Sequence, residues 1–142
     1  MANEPGLSGE GDASFSDPAR PPGSKGTILL VEDETNVRTL VARILEREGY
    51  SVIEASHGGE ALERGLEYSL PIHLLITDVT MPLLDGHNLV RQILPTRPEM
   101  KVMFITGLDK KDLPQGPGIS YLEKPFTLKG LLAQVEQLLM VR

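Results

Sequence analysis

The sequence predicts an α/β fold: a three-layer sandwich with a five-stranded parallel sheet between helices on both faces. Short apolar runs of strand length alternate along the chain with segments whose apolar residues recur at helical spacing. The runs Thr27-Ile28-Leu29-Leu30-Val31 and His73-Leu74-Leu75-Ile76-Thr77 are apolar almost throughout, as in strands buried on both faces. Five such strand–helix units are too few to close an eight-stranded barrel, so the sheet stays open.

The first strand is 27–31. Val37, Leu40, Val41, Ile44 and Leu45 then recur at i, i+3, i+4, i+7 and i+8, one face of a helix that Gly49 stops. Tyr50–Ala55 is the second strand, and a helix from about Gly59 to Tyr68 follows with Ala61, Leu62 and Leu66 inward. The third strand runs up to Asp78. Pro82 and Gly86 end it in a loop. Gly86–Leu94 is the third helix, stopped by Pro95 and Pro98. Lys101–Ile105 is the fourth strand, ending at Thr106, and Ile119–Leu122 is the fifth. A last helix carries Leu128, Leu131, Leu132, Val135, Leu138 and Leu139 on one face. Right-handed crossovers make a flavodoxin-like sandwich, with strand order 2-1-3-4-5, the natural solution.

Residues 1–26 differ in kind. Half of them are Gly, Pro or Ser, too polar to offset the entropy of ordering, so this stretch reads as a disordered tail or interdomain linker ahead of one domain over 27–142. The 142 residues include no cysteine, which excludes disulfides, thiolate zinc sites and cysteine nucleophiles. The net charge of −6 and the 4% aromatic content argue against a nucleic-acid surface. No apolar run reaches the length of a membrane span, and the first residues lack a signal-peptide core, so a cytoplasmic location is expected. No dinucleotide-binding or P-loop glycine motif appears.

The chemistry gathers at the strand ends. Strand one ends in Glu32-Asp33-Glu34, strand three in Asp78, strand four in Thr106 and strand five in Glu123-Lys124-Pro125. If strands one and three are neighbours, Glu32, Asp33 and Asp78 converge. Three carboxylates in a small pocket need a cation, and oxygen ligands with waters suit Mg²⁺. One of the acids can then serve as a nucleophile toward phosphorus. Lys124 supplies a positive point charge and Thr106 a hydroxyl donor. A lone acid at a strand end is usually only a cap, but here the other acids and the lysine stand beside Asp78; Asp85-Gly86 reads as a turn rather than a ligand. His57, His73 and His87 have no metal-ligand spacing and read as structural or surface residues.

Four motifs in this order resemble the receiver domain of two-component response regulators: Ile28–Glu34, Thr77–Gly86, Phe104–Gly107 and Tyr121–Phe126. The resemblance covers residues 27–142. It implies that Asp78 is the phosphoacceptor in a phosphorelay, taking a phosphoryl group from the phosphohistidine of a histidine kinase or histidine phosphotransfer protein. It implies Mg²⁺ bound by Asp33, Asp78 and the backbone carbonyl of Thr80, with Glu32 acting through water. It further implies that Lys124 pairs with Asp78 or its phosphate, that Lys124-Pro125 is cis, and that Thr106 and Tyr121 form a switch. Such a domain catalyses its own phosphorylation and dephosphorylation, inserts in no membrane and is a monomer or weak dimer.

The chain departs from the pattern between Thr106 and strand five. Receivers place a full helix there, whereas Gly107–Gly118 contains Pro114, Gly116, Pro117 and Gly118, poor helix residues. A fourth helix that is short or missing is therefore expected. Thr106-Gly107 with a Lys-Pro-Phe ending looks more like receivers of hybrid histidine kinases. Two other functions compete: a pseudo-receiver that binds partners without phosphotransfer, and a Mg²⁺-dependent phosphatase with an aspartate nucleophile. A haloacid-dehalogenase-type phosphatase places a second aspartate two residues after the first, where this chain has Thr80.

Overall fold

The structure is a computed structural model of the chain that describes residues 23–80, 84–107, 113 and 116–140. Five strands, β1 (Thr27–Val31), β2 (Ser51–Ala55), β3 (Leu74–Asp78), β4 (Lys101–Thr106) and β5 (Ile119–Glu123), form one parallel sheet in the order β2-β1-β3-β4-β5. The described helices are α1 (Thr35–Arg47), α2 (Gly58–Glu67), α3 (Gly86–Ile93), which continues into a 3₁₀ turn over Leu94–Thr96, and α4 (Leu128–Met140). The α/β sandwich and its strand order are those expected from the sequence.

Alternation along the strands divides the core in two. Ile28, Leu30, Leu74, Ile76, Met103 and Ile105 face α1 and α4. Leu29, Val31, Leu75, Val102 and Phe104 face α2 and α3. Every residue of β1 and β3 is buried, because both faces of these central strands carry helices.

Two helices sit differently from their sequence pattern. In α1 the buried residues are Val41, Ala42 and Leu45, while Leu40 is 50% exposed. Val37, Val41 and Leu45 pack on the core as expected, Ala42 joins them and Arg38 is partly buried beside them, so the stripe is rotated slightly away from Leu40. In α2 the buried positions are Gly58, Ala61 and Gly65, and Leu66, expected inward, is 53% exposed. The reason is close packing. A Cβ on Gly65 would stand 2.4 Å from Cδ1 of Ile93, so α2 meets α3 through its small residues and Leu66 turns outward. Helix α1 ends as expected at Gly49, at φ +102°, with Gly49 N donating to Glu46 and Tyr50 N donating to Leu45.

No helix lies between β4 and β5 among the described residues: Gly107, Leu113 and Gly116–Gly118 are non-helical. Residues 108–112 and 114–115, on which the expectation of a shortened helix falls, lie outside the described residues. Of the expected tail over 1–26, only 23–26 are described, and these are held. Lys25 N donates to the Gly49 carbonyl at 2.8 Å and Ser51 N to the Gly26 carbonyl at 2.9 Å.

Arg97 closes the lower end of the α2–α3 layer. Its guanidinium donates to the carbonyls of Gly65 (3.0 and 2.9 Å), Leu70 (2.8 Å) and Tyr68 (2.5 Å). Gly65 lies in the last turn of α2, where carbonyls lack helical partners. Arg97→Ala would leave three part-buried carbonyls without this donor. It is expected to cost about 2–3 kcal/mol of stability by urea denaturation, at unchanged m-value; a loss below about 0.5 kcal/mol would contradict this role.

Candidate functional site

Parallel register brings the strand ends to one edge. Val31 pairs with Thr77, so Glu32 and Asp78, the next residues, are neighbours. Asp78 pairs with Ile105, and Thr106 pairs with Glu123, placing Thr106 and Lys124 on the other side of Asp78. Carboxylate oxygens of Glu32, Asp33 and Asp78 lie within 4.8 Å of one another. The Lys124 ammonium lies 3.3 Å from Oδ1 of Asp78. Asp78, Thr80, Ile105, Thr106, Gly107 and Lys124 line an open pocket of about 300 Å³.

Each side chain has a backbone reason for its place. Lys124 N donates to the Thr106 carbonyl at 2.7 Å, which sets the lysine beside Asp78, and the Lys124-Pro125 peptide is cis. Val79 N donates to the Ile105 carbonyl at 3.1 Å and Gly86 N to the Val79 carbonyl at 3.0 Å, turning the chain sharply after Asp78. A Cβ on Gly86 would stand 2.3 Å from the Asp78 carbonyl oxygen, so only glycine lets α3 start this close to the site. Asp85, read from sequence as a turn residue, is the N-cap of α3, its side chain accepting from Asn88 N at 2.8 Å.

Burial and like charge act together on the acids. Burial pushes the Glu32 carboxyl from 4.5 up to about 7, aided by the charges of Asp78 and Asp33. Burial also raises Asp78, Lys124 holds it down in part, and Asp33 raises it further. Asp78 is 6% exposed. Its Oδ1 is buried without a well-aligned hydrogen bond among the described residues, although Lys124 is within ion-pair distance. Crowded carboxylates, one buried, one partly buried and one open to water, are matched by a small hard cation that takes oxygen ligands and keeps waters, so the donor set fits Mg²⁺.

The remaining sequence candidates divide. Thr106 is 3% exposed and lines the pocket; Thr80 is exposed at its rim. Tyr121 is 8% exposed, stacked on Phe104 at 5.3 Å between ring centroids. His87 meets the other side of this cluster, 4.7 Å from Phe104 in an edge contact. His57 is the N-cap of α2, and His73 Nδ1 accepts from Thr27 N at 2.9 Å, both structural as expected.

The sequence reading missed Arg38. Its Nη1 donates to the Glu32 carbonyl at 2.8 Å and its Nε lies 3.4 Å from Oε1 of Glu54. The available signal was a charged residue at position 38 of the stripe 38, 41, 42, 45, which the helix turns toward the sheet.

A strand-end acid cluster with a lysine and a threonine, in a sheet of this order, defines a class of signalling domain. The chain belongs to the response regulator receiver domain family, whose model matches residues 28–136. Among its relatives is the sensor kinase CckA of Brucella abortus (strain 2308), 39% identical over 117 residues, covering 80% of this chain but 12% of that kinase. The response regulator receiver protein CpdR of the same organism is 37% identical over 118 residues, covering 79% of this chain and 95% of that protein. The crystal structure of the receiver domain from the hybrid histidine kinase CckA is 41% identical, with a TM-score of 0.71, covering 80% and 99% of the two chains. The response regulator TrrA from Thermotoga maritima, crystallised in complex with Mg²⁺-BeF, is 28% identical with a TM-score of 0.69, covering 80% and 98%. No helix among the described residues is long and apolar enough to cross a membrane.

Proposed function

We propose that this chain is a phosphorelay switch that accepts a phosphoryl group on Asp78 from the phosphohistidine of a histidine kinase or a histidine phosphotransfer protein. The observation that carries the reading is the convergence of Glu32, Asp33 and Asp78 within 4.8 Å, with Lys124 3.3 Å from Asp78.

In the transfer, an Asp78 carboxylate oxygen forms a bond to phosphorus as the N–P bond of the donor breaks, its electron pair returning to the imidazole nitrogen. Asp33, Asp78 and the Thr80 carbonyl would hold Mg²⁺, with Glu32 through water; when bound, the ion supplies neutralising charge for the phosphoryl oxygens. Lys124 leaves its ion pair with the Asp78 carboxylate to meet a phosphoryl oxygen as the acid becomes an ester-like anhydride. The Thr106 hydroxyl, at the pocket wall, donates to another oxygen and links the event to β4. Tyr121, packed on Phe104 one strand away, then changes its packing, which alters the surface a partner reads. Water attack on the aspartyl-phosphate resets the switch, so the domain catalyses its own loading and unloading without turning over a separate substrate. The TrrA complex, which pairs Mg²⁺ with a beryllofluoride group on a related fold, supports this assignment. The likeness to both CckA and CpdR supports a receiver working beside a kinase or alone, and the state proposed for it is a cytoplasmic monomer or weak dimer. Residues 1–26 would be its tail or linker and 27–142 the receiver.

Incubation with acetyl phosphate and Mg²⁺ is expected to add one phosphoryl group, about 80 Da by intact mass. Chelation of the metal should prevent it. An unchanged mass in the presence of Mg²⁺ would reject the reading and favour an interaction module without phosphotransfer. Steady turnover of small phosphoesters would favour a phosphatase.

A further inference from the structure

We infer that Arg38 is a positioning residue for the acidic corner: it fixes the backbone of the turn between β1 and α1, so that Glu32 and Asp33 face Asp78 before a cation arrives. The inference rests on the proposed function above.

The turn Glu32-Asp33-Glu34 carries two of the three convergent acids; within it Glu32 Oε2 accepts from Glu34 N at 3.0 Å, but no N-cap side chain ties the turn to the helix. Glu34 occupies the N-cap of α1 and its side chain makes no capping hydrogen bond. Arg38 supplies the tie from the helix instead. Its backbone N makes only the ordinary helical bond to the Glu34 carbonyl at 2.9 Å, whereas its side-chain Nη1 reaches beyond the helix to the Glu32 carbonyl at 2.8 Å. Glu32 N donates to the Ala55 carbonyl at 3.1 Å, so Glu32 is held at both ends of its peptide units, by β2 and by Arg38. Glu54, next to Ala55 on β2, orients the guanidinium, with Oε1 3.4 Å from Nε. The Arg38 side chain is only 16% exposed, and the helix places it on the same stripe as Val41, Ala42 and Leu45.

The bond goes to a backbone carbonyl and the ion pair to Glu54, so the guanidinium is not spent on the acids of the site. That matters because Glu32, Asp33 and Asp78 repel one another. A turn without an anchor relieves this repulsion by moving outward, and a cation must then gather the ligands at a cost in affinity. A turn held from behind keeps them together. Arginine suits the task because its fork offers Nη1 and Nε in different directions, which one ammonium cannot match.

The test is Mg²⁺ affinity, by calorimetric titration of the full chain and by amide NMR shifts of Asp33 and Asp78. Wild type is compared with Arg38→Ala, Arg38→Lys and, as a control on the exposed α2 ion pair, Arg64→Ala. Arg38→Ala is expected to weaken Mg²⁺ about tenfold. Arg38→Lys should recover part of that, and Arg64→Ala none of it because it loses none. At saturating Mg²⁺ the phosphorylation rate of Arg38→Ala should return to within about twofold of wild type, since Asp78, Lys124 and Thr106 are untouched. A purely structural role would instead lower melting temperature and leave affinity alone. Wild-type affinity in Arg38→Ala overturns the inference and leaves the proposed function standing. If Arg38→Ala does not fold, the same comparison is made on Arg38→Lys, where wild-type affinity is the overturning result. A wild type that binds no Mg²⁺ overturns both.

Discussion

Asp78→Asn is expected to remain at its unmodified mass after incubation with Mg²⁺ and acetyl phosphate, and to melt at a higher temperature than wild type when both are metal-free. The first half follows from the nucleophile. The amide has no carboxylate oxygen to attack phosphorus, and Glu32 and Asp33 lack the Lys124 ion pair that Asp78 has at 3.3 Å. The second half follows from the opposing charges. Asp78 is 6% exposed and its carboxyl is raised by burial and by Asp33, so its ionised form strains the fold at neutral pH. Removing that charge should stabilise the metal-free protein, seen as a higher Tm. The loss of the Lys124 pair works the other way but is smaller. The lysine side chain is 49% exposed and keeps its hydration, and half-exposed pairs contribute little. Added Mg²⁺ should raise the Tm of wild type and not of the variant. A phosphoryl adduct on Asp78→Asn, or a lower Tm in the absence of metal, would contradict this account.

Without metal, the protein should lose stability as pH rises from about 4.5 to about 7, contrary to the usual behaviour of acids that gain partners on folding. Glu32 is raised from 4.5 to about 7, chiefly by burial, so the folded state holds this proton more tightly than the unfolded chain. Its contribution is complete below the unfolded value and disappears as pH climbs through the folded one. Asp78 is shifted in the same direction and adds to the slope. Allowing for partial exposure and coupling, the Glu32 loss is on the order of 2 kcal/mol. Glu60 has the opposite sign but acts elsewhere in pH. Hydrogen bonds from Ser56 and Arg64 lower it to about 2, so its contribution is present above 4.5 and lost only in strong acid. Urea midpoints measured from pH 4.5 to 7.5 check the slope. Glu32→Gln should flatten most of it, and Mg²⁺ should cancel it in wild type, since a cation repays the charged form. A metal-free midpoint that is flat or rises across this range would refute the prediction.

The positions that proved legible are those adjoining apolar runs. Glu32, Asp78 and Thr106 each end or follow a buried strand and Lys124 follows the edge strand β5, and a parallel sheet carries all such ends to one edge. Val31 opposite Thr77 and Ile105 opposite Asp78 turn that rule into contacts. Leu40 and Leu66 misled because helical spacing gives a stripe but not its exact bearing. In α1 the face through Val37, Val41 and Leu45 was read correctly, and only the small rotation that buries Ala42 and exposes Leu40 was not. Arg97 was passed over because its partners are backbone carbonyls, and Arg38 because one partner is a carbonyl and the other, Glu54, lies on a separate strand. Arg97 binds carbonyls 27 to 32 positions away, and carbonyls are carried by every residue alike.

By itself the sequence determined the α/β class and the acids, lysine and threonine at the strand ends, because hydrophobic periodicity and strand termination are local and additive along a chain; the strand order followed from the handedness rule for parallel crossovers. Tertiary structure alone decided how closely those groups approach. The 4.8 Å acid cluster needs Glu32 held by β2 and Arg38. The close start of α3 needs Gly86 against the Asp78 carbonyl. The outward turn of Leu66 needs Gly65 against Ile93. Each of these depends on atoms brought together from separate elements, and distance across a packed core is not written in neighbouring residues.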